Sequence, residues 1–313
     1  MLGTEYPLIM GTMQAFSRAE LVAAAANAGA FGIISSATFD TKEALREEIR
    51  KTRSLTDKPF GVNINLFPTS RPVSTEEYID AVIEEGVRVI ETSGRSPAPH
   101  AKQIKSGGVV FMHKCARVRD ARTAERVGAD IVEIVGVECG GHPSMEEVAT
   151  LVLLPQTVDA VNIPVVGGGG FGDGRGFIAC LVLGAEGVLM GTRFMVTKEC
   201  PLHDNFKQAF VEATETATVL AQRSLDEPSR VLLNETVEKV LEMEKRGTTL
   251  DELMPFISGT VGREAMEKGD VSTGMMSCGQ VVGLIHDVPT VKEVVDRIIS
   301  EAKEIMDRLC RLG

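Results

Sequence analysis

Short apolar, β-branched runs recur along the first two-thirds of this chain at roughly 20–30-residue intervals, each followed by an amphipathic stretch of helical period. Few folds accept that alternation, because strands joined through crossover helices pair in parallel and are buried on both faces. Eight runs qualify, at residues 8–11, 32–35, 61–64, 87–92, 109–113, 131–135, 164–167 and 187–190. Helical patterns fall between them at 18–28, 42–54, 75–85, 120–127, 155–161 and 176–183. Eight βα units within ~250 residues predict an α/β fold, a (β/α)8 TIM barrel. A doubly wound open sheet carries the same alternation, but the first βα turn, Gly11-Thr12-Met13, lacks the GxGxxG spacing of dinucleotide folds.

Past residue 197 the β signal stops. Residues 201–253 are polar and helical in pattern and end in a charged helix at 235–246, which Gly247 stops. The expected organisation is one barrel from residues 1–197 and 270–313, closed by an amphipathic helix at 292–311. Residues 198–269 are expected to form a helical insertion or lid beside the barrel mouth.

Composition narrows the function. A hydrophobic share of 43% supplies a core, and a net charge of −11 argues against a nucleic-acid binder working through a basic face. No apolar run reaches the roughly 18 residues of a membrane span, and the amino terminus MLGTEYPLIMGTM lacks the marks of a signal peptide. The six cysteines form no CxxC pair and no metal knuckle, so no metal site is expected, and they read as reduced thiols of a cytoplasmic protein. With no Trp and two Tyr, a flat aromatic ligand would have to rest on aliphatic and Met side chains.

The strongest local signal is the run from Pro164 to Gly176, with Gly167, Gly168, Gly169 and Gly170 directly after a strand. Successive glycines let backbone N–H groups approach an anion, and the helix that follows would add its positive end. The next strand closes in Leu189-Met190-Gly191-Thr192-Arg193, and barrel phosphate sites are commonly built from the loops after strands seven and eight. These two segments read together as a phosphate site.

A second signal, Glu138-Cys139-Gly140-Gly141-His142-Pro143, ends the sixth strand on the face where barrel active sites sit. His142 suits acid or base work near neutral pH, or substrate contact. Cys139 is the rival nucleophile, but nothing in its loop would activate it, so it reads as a small buried side chain. Asn63 at the third strand end offers an amide to a polar ring, and Lys114 at the fifth offers positive charge to a reduced, anionic cofactor or else stands solvated on the rim. Met10 and Met13 pad a ring or fill core, His203 and His286 read as structural, and the carboxylates of residues 235–244 as a solvated face.

At these motifs the chain resembles the nitronate monooxygenase (2-nitropropane dioxygenase) family of FMN-dependent barrel enzymes, a group that also holds the FMN-dependent enoyl-acyl-carrier-protein reductase. The likeness runs through Tyr6-Pro-Leu-Ile-Met-Gly-Thr-Met, Ala28-Gly-Ala-Phe-Gly-Ile-Ile, Lys58-Pro-Phe-Gly-Val-Asn and Gly140-Gly-His. It continues in Gly169-Gly-Phe, Leu183-Gly-Ala-Glu-Gly-Val-Leu-Met-Gly-Thr-Arg-Phe, Gly269-Asp-Val and Cys278-Gly-Gln-Val-Val-Gly-Leu. Carried over by position, the resemblance puts the active-site histidine on His142 and the flavin contacts on Asn63, Gly140, Gly169, Gly170 and residues 189–192. It implies FMN as cofactor, with Gly11, Thr12, Met13, Lys114, Gly141 and Gly168 around it. Two positions depart from the family: Val135 stands where many members carry Gln or Glu, and Gly11-Thr12-Met13 where Gly-Gly-Met is usual. The first removes a polar contact from the flavin's surroundings. The Glu-Cys-Gly-Gly-His-Pro loop and the Cys-Gly-Gln ending are more similar to a subgroup of flavin oxidoreductases of acyl-CoA and steroid-ring breakdown.

The resemblance implies oxidation of a nitronate, with oxygen re-oxidising the flavin. The alternatives are hydride exchange with an acyl-CoA or enoyl thioester, or reduction by NAD(P)H, and, last, a flavin-binding module without turnover. The partner in each case is a small molecule, with no nucleic acid or membrane, and a homodimer is among the assemblies open to the chain.

Overall fold

The computed structural model describes residues 1–67 and 73–311, so the last two residues of the 270–313 segment lie outside it. Eight parallel strands close into a barrel in chain order. They are β1 (Leu8–Met10), β2 (Phe31–Ser35), β3 (Phe60–Asn65), β4 (Val89–Ser93), β5 (Val110–Cys115), β6 (Ile131–Val135), β7 (Val165–Gly168) and β8 (Gly187–Met190). The crossovers are helices α1 (Ala19–Asn27), α2 (Lys42–Leu55), α3 (Thr75–Glu84), α4 (Ala98–Ser106), α5 (Val118–Arg126), α6 (Thr150–Val158) and α7 (Gly174–Val182).

The strand period of two sorts the apolar residues into two layers. Ile9, Phe31, Ile33, Val89, Met112 and Ile131 fill the barrel interior. Their neighbours Leu8, Ile34, Val62 and Ile90 face outward into the layer beneath the helices. This is why each strand is a continuous apolar run. Where helix must come close to strand, side chains give way: a Cβ on Gly32 would stand 2.5 Å from the Val22 carbonyl oxygen of α1.

Helix α6 begins earlier than its sequence pattern suggests. Pro155 reads as a helix start but lies inside α6, which begins at Thr150. The carbonyl it leaves without an N–H partner belongs to Leu151, an exposed residue in the first turn, where water can reach it.

The segment after β8 departs from the expectation of helices alone. It holds α8 (Thr192–Met195) and α9 (Asp204–Glu212), then a two-stranded antiparallel hairpin, β9 (Thr218–Ala221) and β10 (Ser229–Leu232). Helices α10 (Glu235–Arg246), α11 (Leu250–Ile257) and α12 (Gly259–Lys268) follow, the first two packed on the hairpin through Ala221, Val231, Val237, Val240 and Leu253. Four-residue strands give too little alternation to stand out in a polar segment, and the loop between them needs left-handed backbone at Gln222 and Asp226. The closing helix α13 (Val291–Cys310) starts on a Thr290–Glu293 capping box and lies against α7 and α1. No helix among the described residues is long and apolar enough to cross a membrane.

Because the space beside Gly32 is filled by α1 backbone that cannot swing aside, Gly32→Ala is expected to destabilise the barrel by about 1–3 kcal/mol. Urea denaturation of the variant against the parent protein measures this.

Candidate active site

The carboxyl-terminal strand ends surround a cavity of about 1620 Å³. Every site residue singled out from the sequence lines it except Gly168 and Met190. Met190 is corrected by the strand period: Leu189 turns inward to the cavity, so its neighbour Met190 turns outward among the helices and is 1% exposed. Gly168 is buried at the end of β7, where its carbonyl accepts from the Thr150 hydroxyl at 3.1 Å and from the Gly136 N–H at 3.1 Å.

One corner of the cavity is built of backbone. Gly169 and Gly170 have φ of +96° and +81°, a left-handed pair that glycine adopts without strain. A Cβ on Gly169 would meet the Thr150 hydroxyl at 2.9 Å, while at Gly191 the nearest atom is the Met13 Sδ at 4.0 Å. Among the described residues, the N–H groups of Gly170, Gly191 and Thr192 donate to no backbone or side-chain acceptor. Unspent amides facing a cavity are the donor set of an anion site. The Thr192 hydroxyl accepts from the Gly279 N–H at 2.9 Å, which leaves its own proton to donate.

The helix end expected to assist does not. The amino terminus of α7 is occupied by the chain's own carboxylates: Asp173 accepts from the Gly176 N–H at 3.0 Å and Glu301 from the Gly174 N–H at 2.7 Å. The unspent donors of this corner are therefore those of the two turns themselves.

The histidine loop is held from outside the barrel. Gly141, at φ +79°, forms an antiparallel bridge with Arg230 of β10, with N–H to carbonyl distances of 3.1 and 2.7 Å. The Arg230 guanidinium is buried and its Nε donates to the Val137 carbonyl at 2.8 Å, the other side of the same loop. Gly140 lies flat on the chain beyond, where a Cβ would meet the Cys278 Cα at 2.8 Å. His142 is thus presented into the cavity, its ring 5.2 Å from that of Phe67. The surrounding walls lower its pKa by desolvation, which the carboxylate of Glu227 opposes. Burial pushes the Cys139 thiol up to about 12, which disfavours the thiolate that a nucleophile needs.

The floor is polar and charged. Lys114 donates from Nζ to Glu91 at 2.9 Å, Thr12 donates its hydroxyl to the same carboxylate at 2.6 Å, and the Asn63 amide does so as well. Burial alone would raise the pKa of Glu91. The Lys114 ammonium and the hydrogen bonds outweigh it and bring the group down to about 2. Lys114, desolvated but faced by Glu91 and Glu133, has its pKa raised and stays charged. It is no solvated rim lysine. His113, its neighbour, turns outward, its Nδ1 2.8 Å from the Thr92 hydroxyl, and burial lowers it to about 4. Among the described residues no cluster of His, Cys, Asp and Glu is fit to hold a metal ion, and the cysteines are free thiols.

The sequence model of the nitronate monooxygenase family matches residues 1–301. A (3aS,4S,5R,7aS)-5-hydroxy-7a-methyl-1-oxo-octahydro-1H-indene-4-carboxyl-CoA dehydrogenase of Rhodococcus jostii is 33% identical, over 99% of this chain and 96% of its own. A probable nitronate monooxygenase of Staphylococcus saprophyticus is 30% identical over 98% of both chains. The solved structure of FabK from Thermotoga maritima superposes with a TM-score of 0.93 at 36% identity, covering 100% of this chain and 97% of that one.

Arg230→Met keeps most of the apolar stem and removes the tie to Val137, leaving a carbonyl without its donor. It is expected to cost about 1–3 kcal/mol and to speed hydrogen exchange at the Gly141 amide, measured by denaturation and by exchange.

Proposed function

Since the chain belongs to the nitronate monooxygenase family and is an oxidoreductase, we propose that FMN is its cofactor and that the cavity at the barrel mouth is where it works. The observation that carries the proposal is the convergence on one cavity of unspent amides at Gly170, Gly191 and Thr192 with the ionisable ring of His142. The residues suit the group. The backbone corner matches a terminal phosphate, Met13 and Leu189 offer apolar surface to a flat ring, and Asn63 and Lys114 offer polar contacts to its edge. When bound, FMN supplies the two-electron redox capacity that no side chain here possesses.

The protein's own contribution is binding, orientation and proton handling. His142, largely neutral because its pKa is lowered, accepts a proton from a substrate carbon or, once charged, returns one. Lys114 holds positive charge at the cavity floor, where it favours an electron-rich ring. Val135 puts an apolar side chain on the β6 wall of the cavity, below the loop that carries His142.

Two substrate readings share this machinery. In the first, the substrate is an alkyl nitronate and oxygen is the final electron acceptor, a reading supported by the family match. In the second, it is an acyl or enoyl thioester. Cavity size favours this one: about 1620 Å³ exceeds the ~300–1,000 Å³ usual for small-molecule sites, leaving room for a large second ligand. Anaerobic mixing of the flavin-loaded protein with a nitronate, an acyl-CoA, NADH and NADPH decides between them. Oxygen uptake driven by a nitronate selects the first, and flavin bleaching or recolouring by a thioester selects the second. A protein that retains no flavin after reconstitution with FMN overturns the whole proposal.

His142→Ala is expected to keep the flavin and lower kcat by roughly 10²–10⁴-fold, measured by single-turnover reduction. With a histidine pKa below the ordinary 6.5, the form able to take a proton persists into mildly acidic solution. The acid limb of kcat/KM should therefore fall below pH 6.5 and vanish in the variant.

A further inference from the structure

Three adjacent strands each turn one charged side chain into the barrel: Glu91 from β4, Lys114 from β5 and Glu133 from β6. Both glutamates are 0% exposed. Glu91 is well supplied with donors, Lys114 on one oxygen and Thr12 and Asn63 on the other, which leaves its first oxygen room for one more. Glu133 is the opposite case, for neither of its oxygens meets a donor among the described residues. Glu133 stands in register beside Lys114, which is itself ion-paired to Glu91, so the three groups share one buried cluster in which the two carboxyls act on each other. An ionised carboxylate has no hydrogen to give, so two facing carboxyls bond only when one of them carries a proton.

The surroundings offer no other answer. Toward these groups β1 and its turn present Ile9 and Thr12, β3 presents Asn63, β7 presents Val166, and β8 presents Leu189. The Cys139 thiol near Lys114 is neutral. Lys114 is therefore the only cation of the cluster among the described residues, and one ammonium cannot balance two buried carboxylates.

We propose that Glu133 is a neutral carboxylic acid donating its proton to Glu91, so that Lys114 answers one carboxylate instead of two and keeps its positive field on the cavity floor. Glu133 is in this sense a positioning residue acting through Glu91 and Lys114. Burial, then the charge of Glu91, raise its pKa well above the ordinary 4.5, in the same direction. The proton assignment stands on the cluster alone, and its consequence for a bound ring rests on the flavin proposal above.

A group whose pKa is raised on folding gives stability that is full below its unfolded value and declines as pH rises toward the folded one. Glu133→Gln replaces one neutral group by another and should abolish that decline, leaving the variant more stable than the parent in alkaline solution. Infrared spectra of the purified protein carrying carbon-13 glutamate test the proton directly. At neutral pH a protonated-carboxyl C=O band that shifts with the label is expected, and it should be lost in Glu133→Gln. No labelled band in the parent protein overturns the proposal, whether or not the variant folds. In the flavin-loaded protein, Glu133→Gln should leave the midpoint potential in place while Lys114→Met lowers it; a raised potential in Glu133→Gln would mark Glu133 as charged and overturn the assignment. Loss of flavin binding would count against the cofactor, and the infrared band would still decide the proton.

Discussion

The three residues of β1 hold this molecule closed. On one side Ile9 and Met10 pair with Phe31 and Gly32 of β2, and on the other Leu8, Ile9 and Met10 pair with Val188, Leu189 and Met190 of β8. Closure removes the free edges an eight-stranded open sheet would expose. It also carries the Gly11 turn, whose N–H donates to the Met190 carbonyl at 2.8 Å, to the side of the Gly191 turn. Once the ring is fixed, all eight strand ends share one rim, and inward positions repeat in layers below it. Glu91, Lys114, Glu133 and Asn63 form the layer directly under the cavity, above Ile9, Phe31, Ile33, Val89, Met112 and Ile131. The apolar layer seals the charged one from the far end of the barrel, which is what makes the charge on its members matter.

The barrel was legible because its signal is redundant: eight apolar runs, each with its own amphipathic crossover, leave few other arrangements. The turn at Gly169 and Gly170 was legible for a local reason, since left-handed backbone there demands glycine and glycine is visible in a sequence. The helix end credited with assisting it was not, because Glu301 lies 127 residues from the Gly174 N–H it accepts from. The hairpin was missed for a similar reason, as β9 and β10 owe their existence to a bridge with the histidine loop and to the helices packed behind them. The charged floor did leave a trace. Glu91 in Val-Ile-Glu-Thr-Ser and Glu133 in Ile-Val-Glu-Ile-Val interrupt strands otherwise buried on both faces. A carboxylate at an inward position of a buried strand has to find a proton or a cation.

Segments distant in sequence meet at Gly279. Its N–H donates to the Thr192 hydroxyl at 2.9 Å, and the next N–H, of Gln280, donates to the Glu138 carbonyl at 3.0 Å. Gly140 packs on the backbone of Cys278, and β10, paired with β9 along one edge, bridges both Gly141 and Ser277 along the other. Thr192 of the anion corner and the histidine loop are thus bound to the same short stretch of chain. Displacement of one is felt by the other. The part of the chain after β8 is accordingly less a cover than a clamp, since it sets where His142 stands relative to Gly191.

The cavity is also lopsided, and Val135 is the reason. Its side chain lies 3.0 Å from where a Cβ on Gly168 would sit, close to Leu189, so the β6–β8 wall is aliphatic. Across from it, Thr12, Asn63 and Lys114 gather on Glu91. A planar ligand with one polar edge would find partners for that edge on the β3–β5 side, while the unspent amides lie at the β7–β8 turns. For a ligand that needs both, polar groups on two different walls would favour one orientation. A Gln or Glu in place of Val135 would put a polar group on the aliphatic wall, giving the edge a second place to bond and weakening that choice. With Val135, selection between orientations falls on the Glu91 cluster, whose charge in turn depends on where the proton beside Glu133 resides.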